Sequence, residues 1–348
     1  MTKPLLSICI PTYNRAQLLK QAVESVLRQI DESIIDEIEV IISDNASTDE
    51  TYSIVQQIKD QSKAIIKYYL NKKNVGAESN FLLAVERASG QYACLLGSDD
   101  LLADGVLLRL VREIKKSDGI DIYYGEKEDF YLSPDQPMRY RPIMRYPQET
   151  IFDFKKKNTL DEYFKVNKRL IAYCNFISNV VFNRARWLQV RDKDKFIGTE
   201  YVHVYVFQSI LWGEKPGVMK YLPWPMVKRR WGNDGPIDPG KRLRQDVSMF
   251  HMIANEVFTD KKYVHLIDDL VIRNDGFSWA VRLKINNPKR YLFKLLPFLF
   301  NIYSNHLLFW FKLVPLVFIP NYLLRFMRGL YRKQVKGEPL GMKELMVS

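Results

Sequence analysis

Only three cysteines occur in 348 residues, and no two of them form a CxxC pair. Cys9, Cys94 and Cys174 each lie in an apolar, strand-like setting. They read as buried, reduced thiols, which implies a reducing compartment. The chain also has no uninterrupted 20-residue apolar run, so a simple transmembrane helix is not expected. Its start, Met-Thr-Lys-Pro-Leu-Leu-Ser-Ile, reads as too short and too β-like for a signal peptide, so the catalytic part is expected to be cytoplasmic. Internal repeats and low-complexity segments are absent.

Acidic residues are missing from one long stretch. Between Gly276 and Gly337 there are eleven Lys or Arg and no Asp or Glu. The remaining 41 basic residues nearly balance the 40 acidic ones, so the net charge of +12 belongs to this tail. Its cations alternate with Leu, Phe, Trp and Tyr. That mixture points to an anionic membrane surface and away from nucleic acid.

What is present is an alternation of strands and helices. Leu5 to Ile10 reads as a buried parallel strand, and residues 16 to 29 carry a helical stripe. Strands are expected at Glu39 to Ile42, Ile65 to Tyr69, Tyr92 to Leu96 and Ile120 to Tyr124. Helices are expected at Thr51 to Lys59, Asn80 to Ala88 and Gly105 to Lys115. The order implies an α/β fold with a mostly parallel, Rossmann-like sheet flanked by helices. Pro134, Pro137, Pro142 and Pro147 then mark a loop-rich connection. Helices from about 241 to 285 lead into the basic, aromatic tail.

Two acidic clusters follow strand patterns. Ser43-Asp44-Asn45-Ala46-Ser47-Thr48-Asp49 follows Val40-Ile41-Ile42, and Gly97-Ser98-Asp99-Asp100 follows Tyr92 to Leu96. Ligand sites of open α/β sheets collect at the carboxyl ends of strands. Acidic oxygens there suit a hard divalent ion that bridges phosphates. Nucleotide-phosphate chemistry is the function class this favours.

Leu6-Ser7-Ile8-Cys9-Ile10-Pro11-Thr12-Tyr13-Asn14-Arg15 resembles the opening strand and loop of family 2 glycosyltransferases of the GT-A fold. Ser43-Asp44-Asn45-x-Ser47-x-Asp49 resembles their second nucleotide-binding loop, and Gly97-Ser98-Asp99-Asp100 their metal-binding DxD segment. Asn74-Val75-Gly76 and Ala88-Ser89-Gly90-Gln91-Tyr92 fit between them. Order and spacing agree over residues 5 to 110. Leu-Leu-Gly-x-Asp-Asp and residues 175 to 234 look most like enzymes of bacterial O-antigen assembly, such as abequosyltransferases.

The resemblance implies a nucleotide-sugar donor and Mg2+ or Mn2+, with Asp99 as the main metal ligand and Asp100 as the second contact. Ser98 then faces ribose or phosphate. Gly97 stands where the family has the first DxD aspartate. The resemblance gives Asp44 to the base or ribose. Pro11, Thr12, Tyr13 and Arg15 wrap the nucleotide, with Arg15 reaching a phosphate, and the Asn74 and Gly76 backbone approaches the ligand. The family's arginine before the next asparagine is replaced by Ser79-Asn80, with Lys72 or Lys73 as a substitute. Thr48 and Asp49 read as helix caps.

Inverting transfer needs a base for the acceptor hydroxyl. The family's Glu-Asp pair is missing. The corresponding stretch is Phe196-Ile197-Gly198-Thr199-Glu200-Tyr201-Val202-His203. Thr199 is expected to cap a helix with Glu200 in its first turn and His203 on the same face. Either residue, or both together, would be the base; Asp234 is the next candidate. Arg230 is expected on the donor diphosphate and Trp231 on a sugar ring. Asn175, Ser178 and Asn179 fall on the acceptor side.

The expected organisation is a catalytic domain at 1–235, with a nucleotide-sugar-binding half at 1–115 and an acceptor half at 116–235. A helical region at 236–348 ends in the tail. Within the tail, Leu295 to Phe300, Leu307 to Phe311 and Leu313 to Ile319 form apolar blocks. Interfacial helices are expected there, with Trp310 and Tyr322 near headgroups and Arg325, Arg328, Arg332, Lys333 and Lys336 on anionic lipid. Core or oligomer helices are the other reading. The expected acceptor is a saccharide on a polyprenyl diphosphate, met at the cytoplasmic face of a bacterial inner membrane. A nucleotidyltransferase is the alternative enzyme, disfavoured by the lack of glycine between Pro11 and Arg15. A catalytically inactive sugar-nucleotide-binding or scaffold protein is the third.

Overall fold

The computed structural model describes residues 3–138, 140–233 and 237–331. They fall into two compact units. The first runs to Trp231 apart from Lys168–Leu170, which join the second.

The first unit opens with β1 (Leu6–Thr12), in which every residue is buried. Its near-continuous apolar run is what a strand covered on both faces requires. α1 (Ala16–Leu27) buries Leu19, Ala22, Val23 and Val26 along one stripe. β2 (Ile38–Asp44), α2 (Thr51–Gln61), β3 (Ile65–Leu70), α3 (Ala77–Arg87), β4 (Tyr92–Leu95), β5 (Leu101–Leu102) and α4 (Val106–Lys116) follow. β1 pairs in parallel with both β2 and β4, and β2 with β3. Parallel pairing gathers carboxyl ends at one edge. Thr12 is in register with Asp44, and Asp44 with Leu70. The segments expected to bind the donor leave the sheet together at that edge.

The rest of this unit is β6 (Ile122–Tyr131), β7 (Thr150–Asp153), α5 (Thr159–Val166), β8 (Val180–Asn183), α6 (Arg184–Gln189), α7 (Val202–Trp212) and β9 (Val218–Trp231). The strand order is β3-β2-β1-β4-β8-β6-β9-β5, with β7 on β9. β8 lies antiparallel between β4 and β6, while β9 runs parallel to β6. The parallel run thus covers the donor half, and antiparallel pairs build much of the other half. Pro223 and Pro225 lie inside β9. The register of β6 on β9 shifts between Gly125 and Lys127, opposite Pro225. Proline cannot donate to a ladder and is accommodated where a bulge breaks it. Buried Glu126 at this bulge accepts from Ile143 N at 2.7 Å and from the Tyr221 hydroxyl. It pins the proline-rich connection to the sheet.

The second unit is helical. α8 (Pro239–Val257) is capped by Asp238, which accepts from Lys241 N at 2.6 Å. α9 (Lys261–Val271) is capped by Asp260, which accepts from Lys262 N at 2.8 Å. α10 (Phe277–Asn286) leads to shorter helical segments at Tyr291–Leu295, Leu296–Tyr303 and Asn321–Tyr331. Tyr291, Leu295, Leu299 and Tyr303 are buried at four-residue spacing, so one face turns inward. Phe293, Phe311, Phe318 and Tyr322 are each more than 70% exposed. The tail therefore has both a core face and an apolar outer face. No helix among the described residues is long and apolar enough to cross a membrane. Arg325 is exposed; Arg332, Lys333 and Lys336 lie outside the described residues.

Two of the four histidines meet two carboxylates in this unit, and a third joins them through His306. His251 Nδ1 is 2.9 Å from the buried Asp268, and His306 Nδ1 is 3.1 Å from Asp269. His306 Nε2 is 3.1 Å from His265 Nδ1 and 3.5 Å from Asp268. Burial works against the charged form of His306, but the hydrogen bonds to Asp268 and Asp269 outweigh it and raise its pKa to about 9.

Candidate active site

The site forms where β4 ends. Asp100 N donates to Gly97 O at 3.0 Å, closing a tight turn. Asp100 is buried and Asp99 is one-fifth exposed. The Asp100 carboxylate accepts from Ser178 Oγ at 2.6 Å and from Arg230 N at 3.2 Å. Burial pushes its pKa up to about 7, and the neighbouring Asp99 charge adds to this. Ser178 Oγ also accepts from Gly97 N at 3.0 Å.

Gly97 explains the departure from the aspartate pattern. A Cβ at that position would lie 3.0 Å from Asp100 Oδ2 and 3.1 Å from Asp99 Oδ1. Both carboxylates therefore converge on the bare face of residue 97. Among the described residues no group of three or more His, Cys, Asp or Glu is placed to hold a metal ion. Two converging carboxylates fit a hard divalent ion whose remaining positions are filled by diphosphate oxygens and water.

The donor loops surround this turn. Pro11 and Thr12 are buried at the end of β1, and Tyr13 is exposed beyond them. Asn14 adopts a φ of 50° and accepts from Thr48 N at 2.8 Å, which ties the first loop to the second. Asp49 accepts from Ala16 N at 2.9 Å and from Thr51 Oγ1 at 2.6 Å, so it caps two helix starts. Arg15 Nη1 donates to Asp99 Oδ2 at 2.8 Å. Asp44 is buried, accepting from Ser47 N at 2.8 Å and from Tyr68 Oη at 2.6 Å. Asn45, part of the second-loop motif, joins the second and third loops. It donates to Asn74 Oδ1 at 2.8 Å and accepts from Val75 N at 2.9 Å. Gly76 is exposed with a φ of 88°, and Lys72 and Lys73 stand exposed beside this loop. Ser98 is buried within the turn.

Arg230 lies at the end of a strand rather than in a loop, and its guanidinium is spent on the protein. Nε donates to Asp99 O at 2.9 Å, Nη2 to Gln21 Oε1 at 2.6 Å, and Nη1 to Leu132 O. It braces the Asp99-Asp100 turn from behind. The neighbouring Arg229 pairs with Asp129 at 2.9 Å and stacks on Trp231 at 4.1 Å. Trp231 ends β9, and Asp234 lies outside the described residues.

On the acceptor side the expected helix start moves. α7 begins at Val202, so Glu200 precedes the helix and does not share a face with His203. Thr199 Oγ1 accepts from Tyr201 N at 3.1 Å, which caps the turn rather than α7. Glu200 is exposed and held at a φ of 68°. His203 is buried, with Nε2 3.5 Å from Asn175 O and no partner for Nδ1. Burial drives its pKa down to about 4. Ser178 and Asn179 are fully buried. Ser178 donates to Asp100, and Asn179 donates to Gly125 O at 2.6 Å.

The family model for glycosyl transferase family 2 matches residues 7–176. The abequosyltransferase RfbV of Salmonella typhimurium is 30% identical over 261 residues, which covers 73% of this chain and 76% of that protein. The chain belongs to glycosyl transferase family 2. It is a glycosyltransferase of the α/β, GT-A-like class. A Campylobacter jejuni protein named GalNAc(5)-diNAcBac-PP-undecaprenol beta-1,3-glucosyltransferase is 37% identical over 112 residues, 32% of this chain and 34% of that one. Among solved structures, S. aureus TarS 1-349 in complex with UDP-GlcNAc aligns with a TM-score of 0.60 at 15% identity, over 93% of this glycosyltransferase and 87% of TarS 1-349. The mannosyltransferase PcManGT of Pyrobaculum calidifontis, in complex with GDP-Man and Mn2+, aligns with a TM-score of 0.54 at 14% identity, over 96% and 89%. At those identities the likeness carries the fold alone.

Proposed function

We propose that this glycosyltransferase moves one sugar from a nucleotide-sugar donor to a saccharide on a polyprenyl diphosphate carrier, in bacterial surface polysaccharide synthesis. The convergence of Asp99 and Asp100 on Gly97 carries the reading. The relatives' names, one an abequosyltransferase and one a glucosyltransferase whose name includes a PP-undecaprenol-linked saccharide, supply its direction.

Asp99 and Asp100 would hold Mg2+ or Mn2+. When bound, the ion neutralises charge on the diphosphate leaving group as a Lewis acid. Arg15, beside Asp99, meets a phosphate oxygen once the donor arrives. Pro11, Thr12 and Tyr13 line the nucleotide with Asp44, Asn74, Gly76 and Ser98. Arg230 keeps the turn in place. Glu200 is the base. Its exposed carboxylate takes the acceptor hydroxyl proton as that oxygen attacks the anomeric carbon and the bond to the diphosphate oxygen breaks. Nucleoside diphosphate leaves, and the anomeric configuration inverts. Its left-handed backbone is the kind of strain that surroundings maintain at functional sites. His203, buried and with a depressed pKa, is a weaker base.

The second unit brings the enzyme to its acceptor. Exposed Phe293, Phe311, Phe318 and Tyr322 lie in a segment whose charges are all basic, a composition suited to the anionic cytoplasmic face of an inner membrane. Peripheral attachment follows.

The test is transfer from a panel of UDP-, GDP-, CDP- and dTDP-sugars to lipid-linked saccharides, with Mn2+ and with EDTA. One donor should support glycosyl transfer with Mn2+ only. Incorporation of a nucleoside monophosphate instead of a sugar would overturn the reading.

A further inference from the structure

Glu78 is a buried acid with no place in the donor or acceptor chemistry above. It lies in the first turn of α3, two residues past Gly76. Its partners are more than a hundred residues away. Its carboxylate accepts from Gly198 N, from Thr199 Oγ1 at 3.3 Å and from Val202 N at 3.1 Å.

Those three donors bracket Glu200. Gly198 has a φ of 88° and Glu200 a φ of 68°. A non-glycine residue in the left-handed region persists only where surrounding contacts fix it. Val202 is the first residue of α7, and its N-cap, Tyr201, offers no side-chain cap. The first amides of a helix need acceptors, and a carboxylate at a helix N-terminus also gains from the helix dipole. Glu78 meets both needs for α7 from another helix, while sitting at the N-terminus of its own.

We infer that Glu78 is a positioning residue that fixes the Gly198–Val202 turn, and with it the Glu200 carboxylate, relative to the donor loop at Asn74–Gly76. This rests on the reading of Glu200 as the base. One rigid helix start holds both elements. Asn45 fixes Asn74 and Val75 just ahead of it, and Glu78 fixes the base-bearing turn just inside it. Both carboxylate oxygens are used, Oε2 by Gly198 N and Oε1 by Val202 N, so a side-chain amide in their place would turn its NH2 toward one of these donors.

The experiment compares full-length wild type with Glu78→Gln, Glu78→Ala, Glu200→Gln and the double variant Glu78→Ala/Glu200→Gln. Two quantities are read: hydrogen–deuterium exchange of peptides spanning 196–204, and steady-state transfer with the nucleotide sugar found active in the donor panel. Glu78→Ala should speed exchange in 196–204 and leave peptides around Asp99 unchanged. It should lower kcat about 10- to 100-fold, the scale of a misplaced catalytic group, with donor KM within twofold. In the double variant it should cost little beyond Glu200→Gln. If the alanine variant does not fold, Glu78→Gln reads the same quantities. Wild-type exchange and kcat in Glu78→Gln and Glu78→Ala would overturn the inference. So would exchange that rises across the whole first unit, which marks a general structural role. A Glu200→Gln variant with normal turnover would remove the base assignment instead, and the exchange data would still show whether Glu78 holds the turn.

Discussion

Arg15 Nη1 sits 2.8 Å from Asp99 Oδ2, across 84 residues of sequence. The loop after β1 thus supplies a counter-ion to the turn after β4. Both groups are partly exposed, at 41% and 20%, so the pair itself adds little to stability. Its use is in binding, because each partner gains a better one when metal and diphosphate arrive. Arg15→Gln is expected to weaken donor binding about tenfold, the loss of one charge-assisted contact, while Tm moves by no more than a few degrees. Calorimetric titration and thermal unfolding check the two halves. Unchanged donor affinity would remove Arg15 from the phosphate site.

Gly97 gives a prediction that runs against the family pattern. Gly97→Asp supplies the missing first aspartate, yet its Cβ would press on oxygens of Asp99 and Asp100 that are 3.0 to 3.1 Å away. Asp100 is held by Ser178 and Arg230 N and has little room to move. Gly97→Asp and Gly97→Ala should both raise the Mn2+ concentration for half-maximal activity by roughly tenfold, as displaced ligand partners do. A lower requirement in Gly97→Asp would show that the turn can adapt.

The histidine cluster of the second unit sets a pH dependence. Burial opposes charge on His306, but its bonds to Asp268 and Asp269 prevail, and its folded pKa of about 9 exceeds the ordinary value of 6.5. A raised pKa means stability that is complete below about 6.5 and lost as pH rises through about 9. His203 acts at the other end. Burial lowers its pKa to about 4, so it withdraws stability as pH falls from 6.5 to 4. Between pH 4 and 7 the raised pKa of buried Asp100 works the opposite way, adding stability as pH falls, so unfolding midpoints measured from pH 7 to 10 are the ones that report His306. His306→Gln should flatten the alkaline limb alone; an unchanged alkaline limb would mean that His306 is not its source.

The outer face of the tail predicts surface binding. Phe311 and Phe318 are 75% and 80% exposed, and inserting such a side chain contributes about 1.5–3 kcal/mol. Phe311→Ser/Phe318→Ser should reduce binding to anionic vesicles by tenfold or more in flotation assays. Added salt should weaken wild-type binding too, since charges are screened over about 8 to 10 Å. Binding that ignores both changes would favour association of tails with one another.

The donor half was legible in the sequence because its signals are local. The Ile8 and Val40 strands are largely apolar, the Leu19 and Val55 stripes follow helical periodicity, and the acidic clusters directly follow the strands that present them. The acceptor half was less so. β9 carries no strand signal, because Pro223 and Pro225 interrupt it and the extra residues that accommodate them show only in its pairing with β6, where Gly125, Glu126 and Lys127 face Leu222, Pro225 and Val227. Arg230 looked like a ligand contact, because its partners Gln21, Asp99 and Leu132 leave no mark near residue 230. Thr199 looked like the cap of α7, whereas Glu78 does that from 124 residues away. Such long-range hydrogen bonds have no periodicity to read.

The most direct measurement is transfer of labelled sugar from the nucleotide donor by wild type and Asp99→Ala, each with Mn2+ and with EDTA. Wild type with Mn2+ should transfer sugar. Asp99→Ala and the EDTA samples should lose on the order of 10²-fold or more, with Tm little changed because Asp99 lies outside the core. Equal transfer by Asp99→Ala in EDTA would contradict the account.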